Sequence, residues 1–165
     1  MSVKPITLKG TPVLHAKARE VDLKEIGTPK FRQFVDDMVE TMYAANGVGI
    51  AATQVGEGVR VFIAESAKGP IALVNPVFTE KSKKMLSDDE GCLSVPGKFD
   101  RVKRHKTVTI EAYTIAGEKI TFTADGFFAR ILQHELDHLD GLLYVDRVAE
   151  QKNAKEEETK KRGHR

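Results

Sequence analysis

The sequence of 165 residues has a single cysteine, no tryptophan and no long apolar run. The lone Cys92 excludes an internal disulfide and fits a reducing compartment, although one thiol also suits a reactive or metal-bound residue. No segment approaches the roughly 18 apolar residues of a membrane span, and residues 1–9 lack the apolar stretch of a signal peptide. We therefore expect a cytoplasmic protein with no membrane partner.

An excess of charge of one sign is also absent, because 26 Lys and Arg residues stand against 24 Asp and Glu residues. A net charge of +2 gives no electrostatic reason to expect direct DNA binding. A chain of this length buries roughly 70% of its unfolded surface, which is enough for a core without disulfides. No internal repeat or Gly/Ser linker divides it. We expect a monomer with one domain over residues 1–148 and a polar, charged tail over residues 149–165, either a frayed helix or disordered.

Hydrophobic periodicity predicts two helices. Apolar side chains recur at helical spacing over about residues 29–45, and Thr28 supplies a possible N-cap. A second helix is predicted over residues 126–139, with Asp125 as its N-cap.

Short β-branched and aliphatic runs predict strands between the two helices. The second pair of runs alternates polar and apolar residues around a Gly-containing turn, which is typical of a hairpin with one solvated face. The predicted strands cover residues 59–64, 71–78, 107–114 and 119–123. The order of helix, strands and helix favours an α+β fold over alternating βαβ units.

The second predicted helix carries His134, Glu135 and His138 in an HExxH pattern. At about 100° per residue, the two histidines lie roughly 40° apart on one face, and Glu135 lies about 100° round from His134. Two imidazoles can bind one metal ion there, with a carboxylate beside it. The alternative is a pair of core histidines, since Phe127 and Ile131 share their face, but burying two His and a Glu is an expensive way to fill a core.

A catalytic metal site with two His ligands needs a third protein ligand, because such sites normally have three plus a water. One metalloprotease pattern, HExxHxxGxxH, is followed as far as Gly141, but Tyr144 stands where its third His belongs. Downstream carboxylates, Asp146 and Glu150, leave a zinc peptidase open as an alternative. Cys92 is the better candidate, because a thiolate binds a divalent metal firmly. A closed structural metal site would need a fourth ligand from the remaining histidines, which are His15, His105 and His164.

A run of small residues over positions 47–52 follows the first helix and leads into Thr53 and Gln54. Small side chains let a ligand or another backbone approach closely, although packing alone would also explain them. Gln54 adds a side-chain amide that can donate to an oxygen.

The segments GVGIAATQ, EGCLS and QHELDHLDG, in this order and at these separations, resemble the three signature motifs of the peptide deformylases. The resemblance covers about residues 3–148 and is closest to the shorter bacterial type. Ile50 stands where the family usually has Leu, and the tail lacks the pattern of the amphipathic C-terminal helix by which some bacterial members contact the ribosome. We expect an α+β fold in which antiparallel or mixed sheets pack around a central HExxH-bearing helix, with an N-terminal helix.

The resemblance implies a hydrolase that removes the formyl group from N-formyl-methionyl nascent peptides and releases formate. It implies one divalent ion per chain, Fe²⁺ in the cell, with Zn²⁺, Ni²⁺ or Co²⁺ accepted. The implied metal ligands are Cys92, His134 and His138. Glu135 is then the implied proton shuttle, and the Gln54 side chain and the Leu93 backbone N–H are the implied donors to the formyl oxygen.

The resemblance also implies where the substrate lies. The peptide backbone is expected to bind Gly49, and the methionine side chain to bind Val48, Phe127 and Ile131. Formylated initiation points to a bacterial cytoplasm, with an organellar enzyme that has lost its transit peptide as the alternative. The ribosome is a further implied partner, but the tail lacks the amphipathic helix pattern that would support this contact.

Overall fold

The computed structural model describes residues 1–164, and in this part of the chain three α-helices and seven strands are present. The helices are α1 (Pro29–Ala44), α2 (Gly126–Leu139) and α3 (Tyr144–Gly163). The strands are β1 (Gly49–Ala51), β2 (Val61–Ser66), β3 (Gly69–Lys81), β4 (Met85–Cys92), β5 (Val95–His105), β6 (Thr107–Tyr113) and β7 (Lys119–Asp125). The strands form a five-stranded antiparallel sheet in the order β1-β2-β3-β6-β7 and a two-stranded antiparallel sheet, β4-β5. The expected α+β class with antiparallel sheets is confirmed.

Strand β2 lies between two apolar clusters of the core. Its successive side chains point to opposite faces of the sheet, and both faces are covered. Val61 and Ile63 pack in one cluster with Met38 of α1, whereas Phe62 packs in a second cluster with Leu132 of α2. Burial on both faces explains why this strand is a continuous apolar run rather than an alternating one.

The two predicted helices are present with the predicted residues at their N-cap positions, but only one of the two caps through its side chain. The Thr28 hydroxyl accepts a hydrogen bond from the Phe31 amide of α1 at 3.2 Å, as an N-cap does. Helix α2 has the predicted bounds. Asp125 precedes it, but its side chain makes no capping bond and instead accepts from the Thr107 hydroxyl at 2.8 Å. The cross-strand partner on β6 therefore takes the carboxylate that the helix was expected to use.

The β4-β5 hairpin was not predicted from the sequence. Strand β4 contains a run of acidic residues and β5 contains Pro96 and Gly97, neither of which is typical of a strand. Complementary charges support the pairing instead, as in the cross-strand pair of Asp89 and Arg101. This hairpin matters because its tight turn carries Cys92, Leu93 and Ser94 of the EGCLS segment.

Helix α3 begins before the expected tail and continues to Gly163. Its first turns pack against β5, where Val148 is buried and the Gln151 side chain bonds to both backbone groups of Lys103. From Lys152 to His164 every residue is exposed. The expected limit at residue 148 falls inside α3, so the division into a domain and a tail remains a prediction.

None of the helices described in residues 1–164 combines the length and apolar character that a membrane crossing requires.

Candidate metal centre

Cys92, His134 and His138 come together although Cys92 is far from the histidines in the sequence. One potential ligand atom from each residue lies within 4.8 Å of the others. Cys92 Sγ lies 3.4 Å from Nε2 of His138. Ligand bonds of about 2.3 Å to sulfur and about 2.1 Å to nitrogen at a tetrahedral angle give a separation of about 3.6 Å. The observed spacing therefore fits a shared divalent ion.

Local structure explains how each of these side chains is aimed. A register shift in the β4-β5 pairing lies between Glu90 and Cys92, immediately before the hairpin turn, and such an irregularity re-aims a side chain. His134 and His138 are one turn apart on α2, and their ring centroids are 5.0 Å apart. Burial lowers the pKa of His138 well below its ordinary value, so its imidazole is neutral, as a metal ligand must be.

Glu90 fixes the orientation of His134. The Glu90 carboxylate lies 2.8 Å from Nδ1 of His134, which leaves the opposite ring nitrogen, Nε2, for a metal. Burial alone would raise the pKa of Glu90, but hydrogen bonds from Arg104 and His134 outweigh it and hold this pKa well below its ordinary value. Glu90 is therefore an anion that accepts the Nδ1 proton of the ring.

A buried network of ion pairs surrounds the Glu90 carboxylate. This network was not predicted from the sequence. Arg104 donates two hydrogen bonds to Glu90, each 2.9 Å long, and a third to Asp137 at 2.6 Å. Arg130 adds a bond to Glu90 at 2.7 Å, and Arg147 adds two to Asp137, at 2.7 and 3.0 Å. Glu90 and Asp137 lie inside the EGCLS and HELDH segments, so their position was a usable signal, but the distant arginines gave none.

Glu135 lies in the same cleft but is not part of the three-residue group. Its side chain is buried, and Oε2 has no hydrogen-bond partner in the described residues. Burial raises the pKa of Glu135 to about 7, although the charge of His134 lowers it in part. A carboxyl group with this pKa can accept and release a proton near neutral pH.

The Gln54 amide is oriented by its own hydrogen bonds. Its Oε1 accepts from the Ala51 amide at 2.9 Å, which fixes which end of the amide is oxygen. The Nε2 group therefore faces the centre, where it lies 3.2 Å from the Ser94 hydroxyl and 3.6 Å from Cys92 Sγ. The predicted donor thus points toward the candidate ligand Cys92.

Two of the metal-ligating candidates, Cys92 and His134, line a cleft of about 460 Å³, within the usual size range of small-ligand sites, whereas His138 is fully buried. Leu93 lines this cleft, and so do all four residues expected to bind the substrate: Gly49, Val48, Phe127 and Ile131. Ile131 is buried, whereas Val48 and Phe127 keep much of their surface exposed. Pro96 and Phe99, both from β5, also line it and were not expected, because the β4-β5 hairpin was missed.

The ligands of the alternative metal sites lie elsewhere in the described residues. The Asp146 carboxylate accepts from the Leu143 amide at 2.8 Å, and Glu150 pairs with Arg147. The imidazole of His105 bonds the Ser82 carbonyl. Within residues 1–164, the group around Cys92 contains no fourth His, Cys, Asp or Glu, which argues against a closed structural site.

A helix-borne HExxH motif, with a thiol beside it and a cleft leading to it, defines the class of HExxH metalloenzymes. Comparison with known proteins narrows this class. The sequence model of a family described as polypeptide deformylase matches residues 3–154. Peptide deformylase from Desulfitobacterium hafniense is 45% identical over 148 residues, covering 90% of this chain and 96% of that protein.

A plant relative and a solved structure agree with this match. Peptide deformylase 1A, chloroplastic/mitochondrial, from Arabidopsis thaliana is 43% identical over 162 residues, covering 87% of this chain and 60% of that protein. The actinonin-bound crystal structure of a class I type b peptide deformylase from Acinetobacter baumannii gives a TM-score of 0.86 at 39% identity. That comparison covers 89% of this chain and 99% of the other. The chain belongs to the peptide deformylase family, which confirms the resemblance of its three motifs.

Proposed function

We propose that this protein removes the N-terminal formyl group from formyl-methionyl nascent polypeptides, releasing formate during protein biosynthesis. The observation that carries the proposal is the convergence of Cys92, His134 and His138 next to a cleft that is lined by Cys92, His134 and the buried Glu135. A zinc peptidase is not favoured, because the relatives are peptide deformylases and Tyr144 occupies the position of the third peptidase histidine.

The proposed metal ligands are Cys92, His134 and His138, with α2 as the central helix of the fold. One thiol and two imidazoles form a donor set that accepts Fe²⁺, Zn²⁺, Ni²⁺ or Co²⁺, and we propose Fe²⁺ as the physiological ion. When bound, the ion would act as a Lewis acid and make water nucleophilic at neutral pH.

Glu135 is the proposed proton shuttle. Its carboxylate takes a proton as the water oxygen bonds to the formyl carbon, and gives it to the amine nitrogen as the C–N bond breaks. The products are formate and a free amino terminus. A pKa near 7 suits a group that must act first as a base and then as an acid.

Gln54 and Leu93 are the proposed donors to the formyl oxygen as it gains negative charge. The bond from the Ala51 amide to Oε1 holds the Gln54 amide in the donating orientation before substrate arrives. The Leu93 backbone N–H is in the hairpin turn next to Cys92, so the turn that supplies the proposed thiolate also supplies this donor. Tight space beside this turn would exclude a methyl group and so discriminate against acetyl.

The proposed substrate path follows the edge of the five-stranded sheet. Strand β1 pairs with β2 on one side, and Gly49 lies at its start on the cleft. A peptide backbone binds there by adding to the sheet edge. The methionine side chain then lies against Val48, Phe127 and Ile131, and because Ile131 and His134 are three residues apart on α2, the apolar wall adjoins the proposed metal ligand.

We further propose a bacterial cytoplasmic location, a monomeric state and a catalytic domain over residues 1–148. An organellar location stays the alternative, because the plant relative is named as chloroplastic/mitochondrial. The exposed C-terminal half of α3 offers no apolar stripe for a ribosomal surface, so ribosome contact has only its mixed charges in support.

Formate release tests the proposed function. The purified protein should release formate from an N-formyl-methionyl tripeptide, lose this activity when treated with a chelator, and regain it when Ni²⁺ or Fe²⁺ is returned. An unblocked peptide of the same sequence, incubated in parallel, should stay intact. Cleavage of an internal bond in the unblocked peptide, with no formate released from the formylated one, would establish a peptidase instead.

A further inference from the structure

A continuous path of ion pairs joins helix α3 to the candidate metal ligand His134. Arg147 of α3 donates to Asp137 of α2 through Nη2 at 2.7 Å and Nε at 3.0 Å. Asp137 also accepts from Arg104 of β5 at 2.6 Å, and Arg104 donates two bonds of 2.9 Å to Glu90 of β4. Glu90 then lies 2.8 Å from Nδ1 of His134. Four elements of the fold are therefore linked to the ring of one ligand.

The Arg104 guanidinium is shared between two carboxylates in this path. The side chains of Arg104, Glu90 and Asp137 are each at most 9% exposed, so water cannot easily replace a lost partner. Arg147 is the accessible end, with 35% of its side chain exposed. Without Arg147, Asp137 must draw more strongly on Arg104, and any movement of the guanidinium toward Asp137 weakens its bonds to Glu90.

We infer that Arg147 is a positioning residue for the metal centre, which holds Asp137 so that Arg104 stays against Glu90 and the His134 ring stays aimed. The inference rests on the metal site of the proposed function. Groups that orient a ligand directly change metal affinity by about 10- to 100-fold when lost. Arg147 acts three ion pairs further out than Glu90, so we expect an effect of roughly three- to tenfold.

Release of Co²⁺ from the loaded protein tests this inference. Wild type and variants are mixed with excess chelator, and Co²⁺ loss is followed by visible absorption, which also reports the ligand geometry. Arg147→Gln should lose Co²⁺ about three- to tenfold faster and shift the Co²⁺ bands, and Arg147→Lys should recover part of the loss because it keeps the charge but not the paired bonds. Thermal unfolding of the metal-free variants is measured in parallel.

Two control variants separate this role from general loosening of α3. Glu150→Gln removes the other ion pair of Arg147, a 3.2 Å contact, and leaves Asp137 untouched. Val148→Ala weakens the apolar packing of α3 without changing a charge. Both controls should release Co²⁺ at the wild-type rate, even where Val148→Ala lowers the unfolding temperature.

The outcomes distinguish the inference from the proposed function. A wild-type release rate in Arg147→Gln overturns the inference alone, as does an equal acceleration in Val148→Ala. If Arg147→Gln does not fold, Arg147→Lys decides, and wild-type release by that variant also overturns it. A wild-type protein that binds no Co²⁺ overturns the proposed metal site and the inference with it.

Discussion

The substitution Gly49→Ala tests whether the position of Glu135 governs the rate. A Cβ added at Gly49 would lie 2.8 Å from Cδ of Glu135 and still closer to Oε1. An ordinary carbon–carbon contact is about 3.5 Å or more, so the carboxyl group must move by about 0.7 Å or more. Because a misplacement of about 1 Å can cost about 10² in rate, we expect kcat to fall by between about tenfold and about a hundredfold.

The fold and the metal content should survive this change. The displaced atoms are the end of a flexible side chain, and Gly49 does not have the positive φ that an alanine would find strained. The metal content should stay near one ion per chain, because Glu135 is not a proposed ligand. The assay is steady-state formate release together with metal analysis and thermal unfolding. Gly58→Ala is the matched control, because its Cβ would meet Val13 only at an ordinary 3.9 Å. A kcat for Gly49→Ala within about threefold of the Gly58→Ala value would refute the reasoning.

Three further results are expected. Glu135→Gln should keep its metal and lose nearly all turnover, and a variant that retains more than about a tenth of the wild-type rate would rule out Glu135 as the proton shuttle. Cys92→Ser should lose metal during dialysis, because a hydroxyl is a poor ligand at neutral pH, and unchanged metal content would remove Cys92 from the ligand set. Burial alone would lower the pKa of His134, but its bonds to Cys92 and Glu90 outweigh this and raise it to about 10 in the metal-free protein. The metal must therefore displace a proton from His134 below that pH, together with any thiol proton on Cys92, so Ni²⁺ affinity should rise by at least about tenfold per pH unit between pH 6 and 8, and an affinity independent of pH would contradict this.

The parts of the site that depend on local spacing could be predicted from the sequence. His134 and His138 share a face because a helix has a fixed period, and the bounds of α2 follow from its apolar positions. Cys92 is different, because no local rule brings it to the histidines. It was proposed by elimination and by resemblance, and its approach to His138 depends on the register shift and the turn of the β4-β5 hairpin.

The hairpin itself was missed for a reason that concerns the candidate metal centre. A ring nitrogen of His134 must be held, and in this protein the buried carboxylate of Glu90 holds it. A buried anion is costly unless cations accompany it into the interior, and here Arg104 and Arg130 do so. These arginines are 14 and 40 positions from Glu90 in the chain, so no local pattern marks them as partners.

Charged residues are ordinarily exposed, and a segment rich in them is expected to be a surface loop. Most charged residues of strands β4 and β5 are exposed, but Glu90 and Arg104 are buried and surround the candidate metal centre. At these two positions, the requirement that orients the proposed ligand His134 places a charged residue where an apolar one would have marked the strand. Hydrophobic periodicity fails here because paired charges share the interior around this site with the apolar contacts of Val95 and Val102.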